Sequence, residues 1–175
     1  MSASAWTCTD PALEAVSAAM QAMREAFDPG SACPPEAGGS TTVRFLASDG
    51  GLPFWDGWCK EPLLWVRVDR RYLSTRQTFP AAFVKSQDCR DHPINVLALE
   101  VGVARCSSAE QEPRWDDLEQ EALIGLDDSW RIEKALCRFG GLRRAKGHAA
   151  ATDTIAPVGP EGGVMAWTGM AYTQI

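Results

Sequence analysis

The sequence predicts an α+β fold in which a mainly antiparallel sheet packs against two helices, in the order α-β-β-β-α-β-β. Three observations predict it. Apolar residues recur at helical spacing over 10–27 and again over 115–139. Between these stretches they alternate at period two, over 63–72 and 94–106. At the end, a Gly/Pro-rich turn near residue 160 separates two short runs that read as strands. No repeat or linker interrupts the 175 residues, so one domain over 1–175 is expected.

Each element has its own justification. Thr9-Asp10-Pro11 is a helix start, a side-chain acceptor followed by proline at the first helical position. Leu13, Val16, Met20, Met23 and Phe27 then form a stripe, with alanines 12, 15, 19, 22 and 26 beside it, and Asp28-Pro29-Gly30 ends the helix. Residues 29–41, with three prolines and three glycines, read as a loop. A short strand is expected over 42–47, then an irregular aromatic segment over 52–60. In the strand from Leu63 to Tyr72, Leu64, Val66 and Val68 make one buried face, with Trp65 and Arg67 opposite. Ile94 to Cys106 is apolar on both faces, which suits the middle of an antiparallel sheet. Trp115 to Phe139 has helical period, with Leu118, Ala122, Gly125, Ser129, Ile132 and Leu136 sharing a face. Gly125, Asp127 and Asp128 weaken its middle enough to break it in two, and Gly140-Gly141 supplies the stop. A polar loop over 143–151 and strands over 152–158 and 164–175 complete the chain, the last two joined through Gly159-Pro160-Glu161-Gly162-Gly163.

Composition limits the function classes. A net charge of −6 argues against a dedicated nucleic-acid binder, although an acidic wall would let DNA slide past. No apolar run is long enough for a membrane span, and the N-terminal residues lack the pattern of a signal peptide, so synthesis and folding in cytoplasm are expected. The six cysteines (Cys8, Cys33, Cys59, Cys89, Cys106, Cys137) contain no CxxC pair and are expected to be buried free thiols.

Candidate chemistry is thin. The two histidines, His92 and His148, sit in expected loops without a recognisable nucleophile nearby. Cys89-Arg90-Asp91-His92 has the spacing of half a zinc site, which Cys59 and Cys106 could complete if the neighbouring strand ends meet. Asp116-Asp117, Glu119-Gln120-Glu121 and Asp127-Asp128 read as a solvated helix face before they read as paired acids. Gly159 to Gly163 lacks the lysine and hydroxyl of a phosphate loop and reads as a hairpin turn. Catalytic residues, metal and cofactor are therefore all expected to be none. Two basic patches, Arg67, Arg70, Arg71 and Arg76, and Arg143, Arg144 and Lys146, read either as ordinary surface charge or as complementarity between copies. Of seven tryptophans, Trp55 and Trp58, in a Gly/Pro-rich aromatic loop, are the ones expected to face a partner.

Several segments resemble head–tail joining proteins of actinobacterial siphophages. Trp58-Cys59, Leu64-Trp65-Val66-Arg67-Val68, Arg71-Tyr72 and Phe79-Pro80 resemble a first block of that family, and residues 99–106, Leu-Glu-Val-Gly-Val-Ala-Arg-Cys, a second. Gly159 to Gly163 before an alternating strand resembles a third, and Leu126-Asp127-Asp128 through Ala135-Leu136-Cys137 the helix between them. The likeness spans roughly residues 55–175, and the order of the blocks is more specific than any one of them. Lys60 and Val164 stand where the family often has cysteine, so no cysteine role is carried over. The resemblance implies a tail terminator: a non-enzymatic virion protein forming a homohexameric ring that caps the tail tube. It implies contacts with the major tail tube protein and the head-to-tail connector or stopper protein, and double-stranded DNA passing through the channel unread. Interface contacts are expected from loops 48–62 or 74–93, with Trp55, Trp58, Arg67, Arg70, Arg71 and Arg76 as candidates. A stopper or adaptor is the nearest alternative, and a small Cys/His or zinc enzyme a more distant one.

Overall fold

The computed structural model describes residues 8–47, 50–53, 59–83, 93–108 and 114–175. Its elements run α1 (Ala12–Ala26), β1 (Val43–Leu46), β2 (Leu63–Ser74), β3 (Ile94–Cys106), α2 (Trp115–Ala145), β4 (Ala150–Glu161) and β5 (Val164–Gln174). The fold is α+β, with both helices packed on one face of a five-stranded sheet of order β1-β2-β3-β5-β4. All neighbouring strands are antiparallel except β1, which pairs parallel with β2 at one edge.

Local chemistry accounts for the first helix. Asp10 Oδ1 accepts the Ala12 N–H at 2.9 Å, Pro11 enters at φ −61, and Asp28 Oδ1 accepts the Gly30 N–H just past the end. The buried face is Ala12, Ala15, Val16, Ala19, Ala22 and Met23, whereas Leu13 is 53% exposed. The expected stripe is therefore rotated onto the alanines, whose small side chains let α1 lie close to both the sheet and α2.

Three further expectations need correction. The long helix does not break: a Cβ on Gly125 would meet the Trp167 ring nitrogen at 2.8 Å, and Asp127 and Asp128 are bound by Arg131 and Arg105. Tertiary contacts outweigh the weak propensity there. It also runs past Gly140-Gly141 to Ala145, ending where Gly147 takes φ +82 and its N–H bonds to the Arg144 carbonyl. The polar loop is thus confined to residues 146–149. Lastly, β2 is buried on both faces over Leu64–Arg67, not on one.

The central strand β3 matches the expected Ile94–Cys106 and lies between β2 and β5. The β4–β5 hairpin turns at Gly162 (φ +59) and Gly163 (φ +77), the pair of left-handed residues that a tight two-residue turn requires. The main core lies between sheet and helices around Met23, Phe27, Leu97, Leu99, Ile132 and Phe139. A smaller cluster of Trp65, Ala104 and Ala166 lies on the other face of the sheet. Cross-strand register aligns Phe45, Val66, Val101, Gly169 and Ile155 in one row across all five strands, on the face that carries the helices. Methyl groups of Ile132 and Leu136 lie 2.8 and 2.9 Å from where a Cβ on Gly169 would be, so α2 rests directly on that row.

Candidate interaction surface

The expected interface residues separate in the structure. Trp55 and Trp58 lie outside the described residues. Arg67 is 3% exposed and spends its guanidinium inside the chain, donating to Glu100 at 2.7 Å and to the Gly51 carbonyl at 2.7 Å. Trp65 Nε1 donates to the same carboxylate at 3.1 Å, making a compact group on the sheet face opposite the helices. Arg71 pairs with Asp10, while Arg70 is exposed and stacks on Tyr72. A bulge between Val68 and Arg70 shifts the register, and Arg76 is exposed in the turn after β2. Of the second patch, Arg143 is buried against Thr173 and the Gln174 carbonyl, and Lys146 pairs with Glu14. Only Arg144 of that patch is exposed without an ion pair among the described residues.

The candidate chemistry also resolves. Cys59 and Cys106 do meet, with Cα atoms 5.5 Å apart, but as a disulfide that ties the entry of β2 to the end of β3. Their sulfurs are therefore not free to complete a metal site. Cys8, Cys33 and Cys137 are free but exposed, which corrects the expectation of buried thiols. Cys89 and His92 lie outside the described residues. Among the described residues no group of three or more His, Cys, Asp or Glu is placed to hold a metal ion, and no helix is long and apolar enough to cross a membrane.

The acids of α2 do not form a single solvated face. Asp116 and Asp117 are exposed at its start, but Asp128 is nearly buried, bound by Arg105 at 2.6 and 2.8 Å. Burial raises the Asp128 carboxyl above its ordinary value, against the downward pull of Arg105. Arg105 also donates to the carbonyls of Ala37 and Gly38, and Arg131 to those of Ala26, Cys33 and Pro34. These two arginines fasten the loop between α1 and β1 to the middle of α2. Glu121 accepts from Ser107 and Ser108 and so holds the chain leaving β3.

A different surface stands out. At 1.5 Å per residue, the 31 residues of α2 extend for roughly 46 Å, and the 15 residues of α1 for only about 22 Å. The helices run antiparallel, with Glu14 near Lys146, Glu25 on Arg138 and the Ala26 carbonyl on Arg131. Residues 115–130 of α2 therefore project past the end of α1. Along this overhang Trp115 (81% exposed), Leu123, Leu126 (65% exposed) and Trp130 recur at helical spacing on one open face. Between them and the β4–β5 hairpin lies a cleft of about 730 Å³ lined by Leu123, Leu126, Trp130, Ile155 and Trp167, with Glu36, Asp127 and Glu133 as its carboxylates. Contiguous apolar exposure rimmed by polar groups is what a docking surface presents.

The sequence held a signal for this face. Once Leu118, Ala122, Gly125, Ser129, Ile132 and Leu136 are assigned to one side of the helix, Trp115, Leu123, Leu126 and Trp130 remain as a second stripe. A helix with two apolar stripes has two surfaces to cover. Fold and surface together define an α+β protein with an apolar helix face left exposed among the described residues. No protein-family model matches this chain, and no curated protein matches it in sequence.

Proposed function

We propose that this chain is a structural subunit of a tailed-phage virion, a tail terminator that assembles as a homohexameric ring. In this reading the ring caps the tail tube, stops its growth and offers a surface to the head-to-tail connector. Double-stranded DNA crosses its channel without being read, and no catalytic step is asked of any residue. The observation that carries the reading is the overhanging apolar face of α2, which the described residues of one copy leave uncovered. The ordered sequence blocks over residues 55–175, and the acidic balance that lets DNA slide, support it further.

The test is native mass spectrometry of the untagged protein, together with electron microscopy of the protein mixed with polymerised tail tube. A hexamer without added metal, or the protein seated at tube ends, is the expected result. A chain that neither self-assembles nor binds tube ends overturns the proposal.

A further inference from the structure

We infer that the α2 cleft is filled by the β1 edge of a second copy, so that copies join head to tail through two different surfaces. The inference rests on the ring reading and names its contact. Three observations lead to it.

The first is position. Phe45 on β1 and Ile155 on β4 are the two ends of one cross-strand row. Phe45 is 49% exposed at one margin of the sheet, and Ile155 lines the cleft at the other. A second copy placed beyond the end of the row would therefore present its Phe45 on the side where its neighbour's cleft opens. A heterologous contact of that kind closes into a ring when its rotation closes, whereas a rise per copy would make a filament.

The second is charge. Among the described residues, Glu36, Asp127 and Glu133 are the charged ones lining the cleft. Asp127 is neutralised by Arg131, and Lys134 lies over the Trp130 ring, which leaves Glu36 and Glu133 facing outward. At the other margin the sign is opposite. On α1, Glu14 and Glu25 face α2 while Val16, Ala19 and Met23 are buried, so Leu13 and Arg24 fall on the flank turned away from α2. Arg24 is exposed there, with no ion pair among the described residues, whereas Arg44 alternates with Phe45 on β1 and points to the opposite face of the sheet. A margin carrying Arg24 with Phe45 and Leu13 complements a cleft lined by leucine and tryptophan with Glu36 and Glu133 facing outward.

The third is what the sheet edges discourage. β4 is interrupted by two register shifts and carries Pro157 and Pro160, and β1 is only four residues long. Both edges are poor templates for a continuous intermolecular sheet. Contact between copies therefore falls to side chains, an aromatic knob entering an apolar cleft.

The test uses the full chain with Cys8, Cys33, Cys89 and Cys137 changed to serine. One preparation adds Phe45→Cys and the other Trp130→Cys, and the two are mixed under copper-phenanthroline. A cross-linked dimer that appears only in the mixture is expected, and yields no greater than from either preparation alone overturn the inference. In parallel, Phe45→Asp and Trp130→Asp, each checked for an unchanged circular dichroism spectrum, should weaken self-association at least tenfold. Arg24→Glu should weaken it too, and adding Glu133→Arg should recover it. Hexamers that form normally with the Asp variants sink the docking while the ring reading stands. A mixed cross-link in a chain that makes no hexamer and ignores tube ends keeps the docking and removes the terminator reading. Loss of tube binding alone in Trp130→Asp assigns the cleft to the tube protein and overturns the inference.

Discussion

Gly102 faces Trp65 across the β2–β3 ladder, and a Cβ there would fall 2.2 Å from the indole ring. Trp65 is wholly buried and its Nε1 is committed to Glu100, so it has little room to yield. Gly102→Ala is expected to destabilise the fold by about 1–3 kcal/mol through overpacking. Gly141, exposed on α2 with nothing within 4 Å, is the contrasting site. There the same change should stabilise by about 0.5–1 kcal/mol, because only the conformational freedom of glycine is removed. Urea titrations of both variants check the opposite signs. The Arg67–Glu100 pair behaves differently again, since both partners are largely desolvated. Arg67→Ala strands Glu100 and should cost about 3 kcal/mol, near the lower end for a broken buried pair. Arg67→Met combined with Glu100→Gln keeps an acceptor for Trp65 Nε1 and should recover most of that loss. A double variant as unstable as Arg67→Ala alone would show that the lost hydrogen bonds to Glu100 and the Gly51 carbonyl, and not the stranded charge, set the cost.

Between elements, α1 and α2 are clamped at both ends of their contact, by Glu14 with Lys146 and by Glu25 with Arg138. Hydrogen bonds from Lys146 and from Arg138 hold the two carboxyls below their ordinary value of 4.5. A carboxyl lowered by folding contributes stability that is present above its unfolded value and is lost as pH falls through its folded one. Asp128 works in the other direction, its raised value giving a contribution present at low pH and lost as pH rises. Hydrogen bonds lower the carboxyls of Asp10 and Asp153 as well, and outweigh burial at Glu121, so thermal stability should fall as pH drops from about 5 to about 3. Glu25→Gln should flatten that fall and Asp128→Asn steepen it; Tm against pH in low salt reads both. Much of this layer was legible beforehand. The limits of β3 follow from unbroken apolar character on both faces, and the start of α1 from Asp10-Pro11. The face of α1, the continuity of α2 and the second buried face of β2 were not legible. Each depends on a partner distant in sequence: α2 for the alanines, Trp167 and Arg105 for the middle of α2, Glu100 for Arg67.

At the scale of the whole molecule, protection is unevenly distributed. β3 is flanked on both sides and buried on both faces, and residues 131–143 of α2 bury Ile132, Ala135, Leu136 and Phe139 against the sheet and α1. Residues 115–126 of the same helix contain no fully buried side chain and hold to the body mainly through Glu121 and the contact of Gly125 with Trp167. One continuous helix should therefore open in two steps, because local stability follows buried contact and not hydrogen-bond pattern alone. In hydrogen–deuterium exchange of the isolated chain, amides of the overhang should exchange on the order of a hundredfold faster than those over 131–143. The β3 amides should be the slowest of all. On the proposed docking, assembly should slow the overhang selectively, a second copy providing the contacts that α1 is too short to make. Uniform protection along α2 in the isolated chain would mean that the overhang is already covered within one subunit, and the tryptophan–leucine stripe would lose its standing as a free surface.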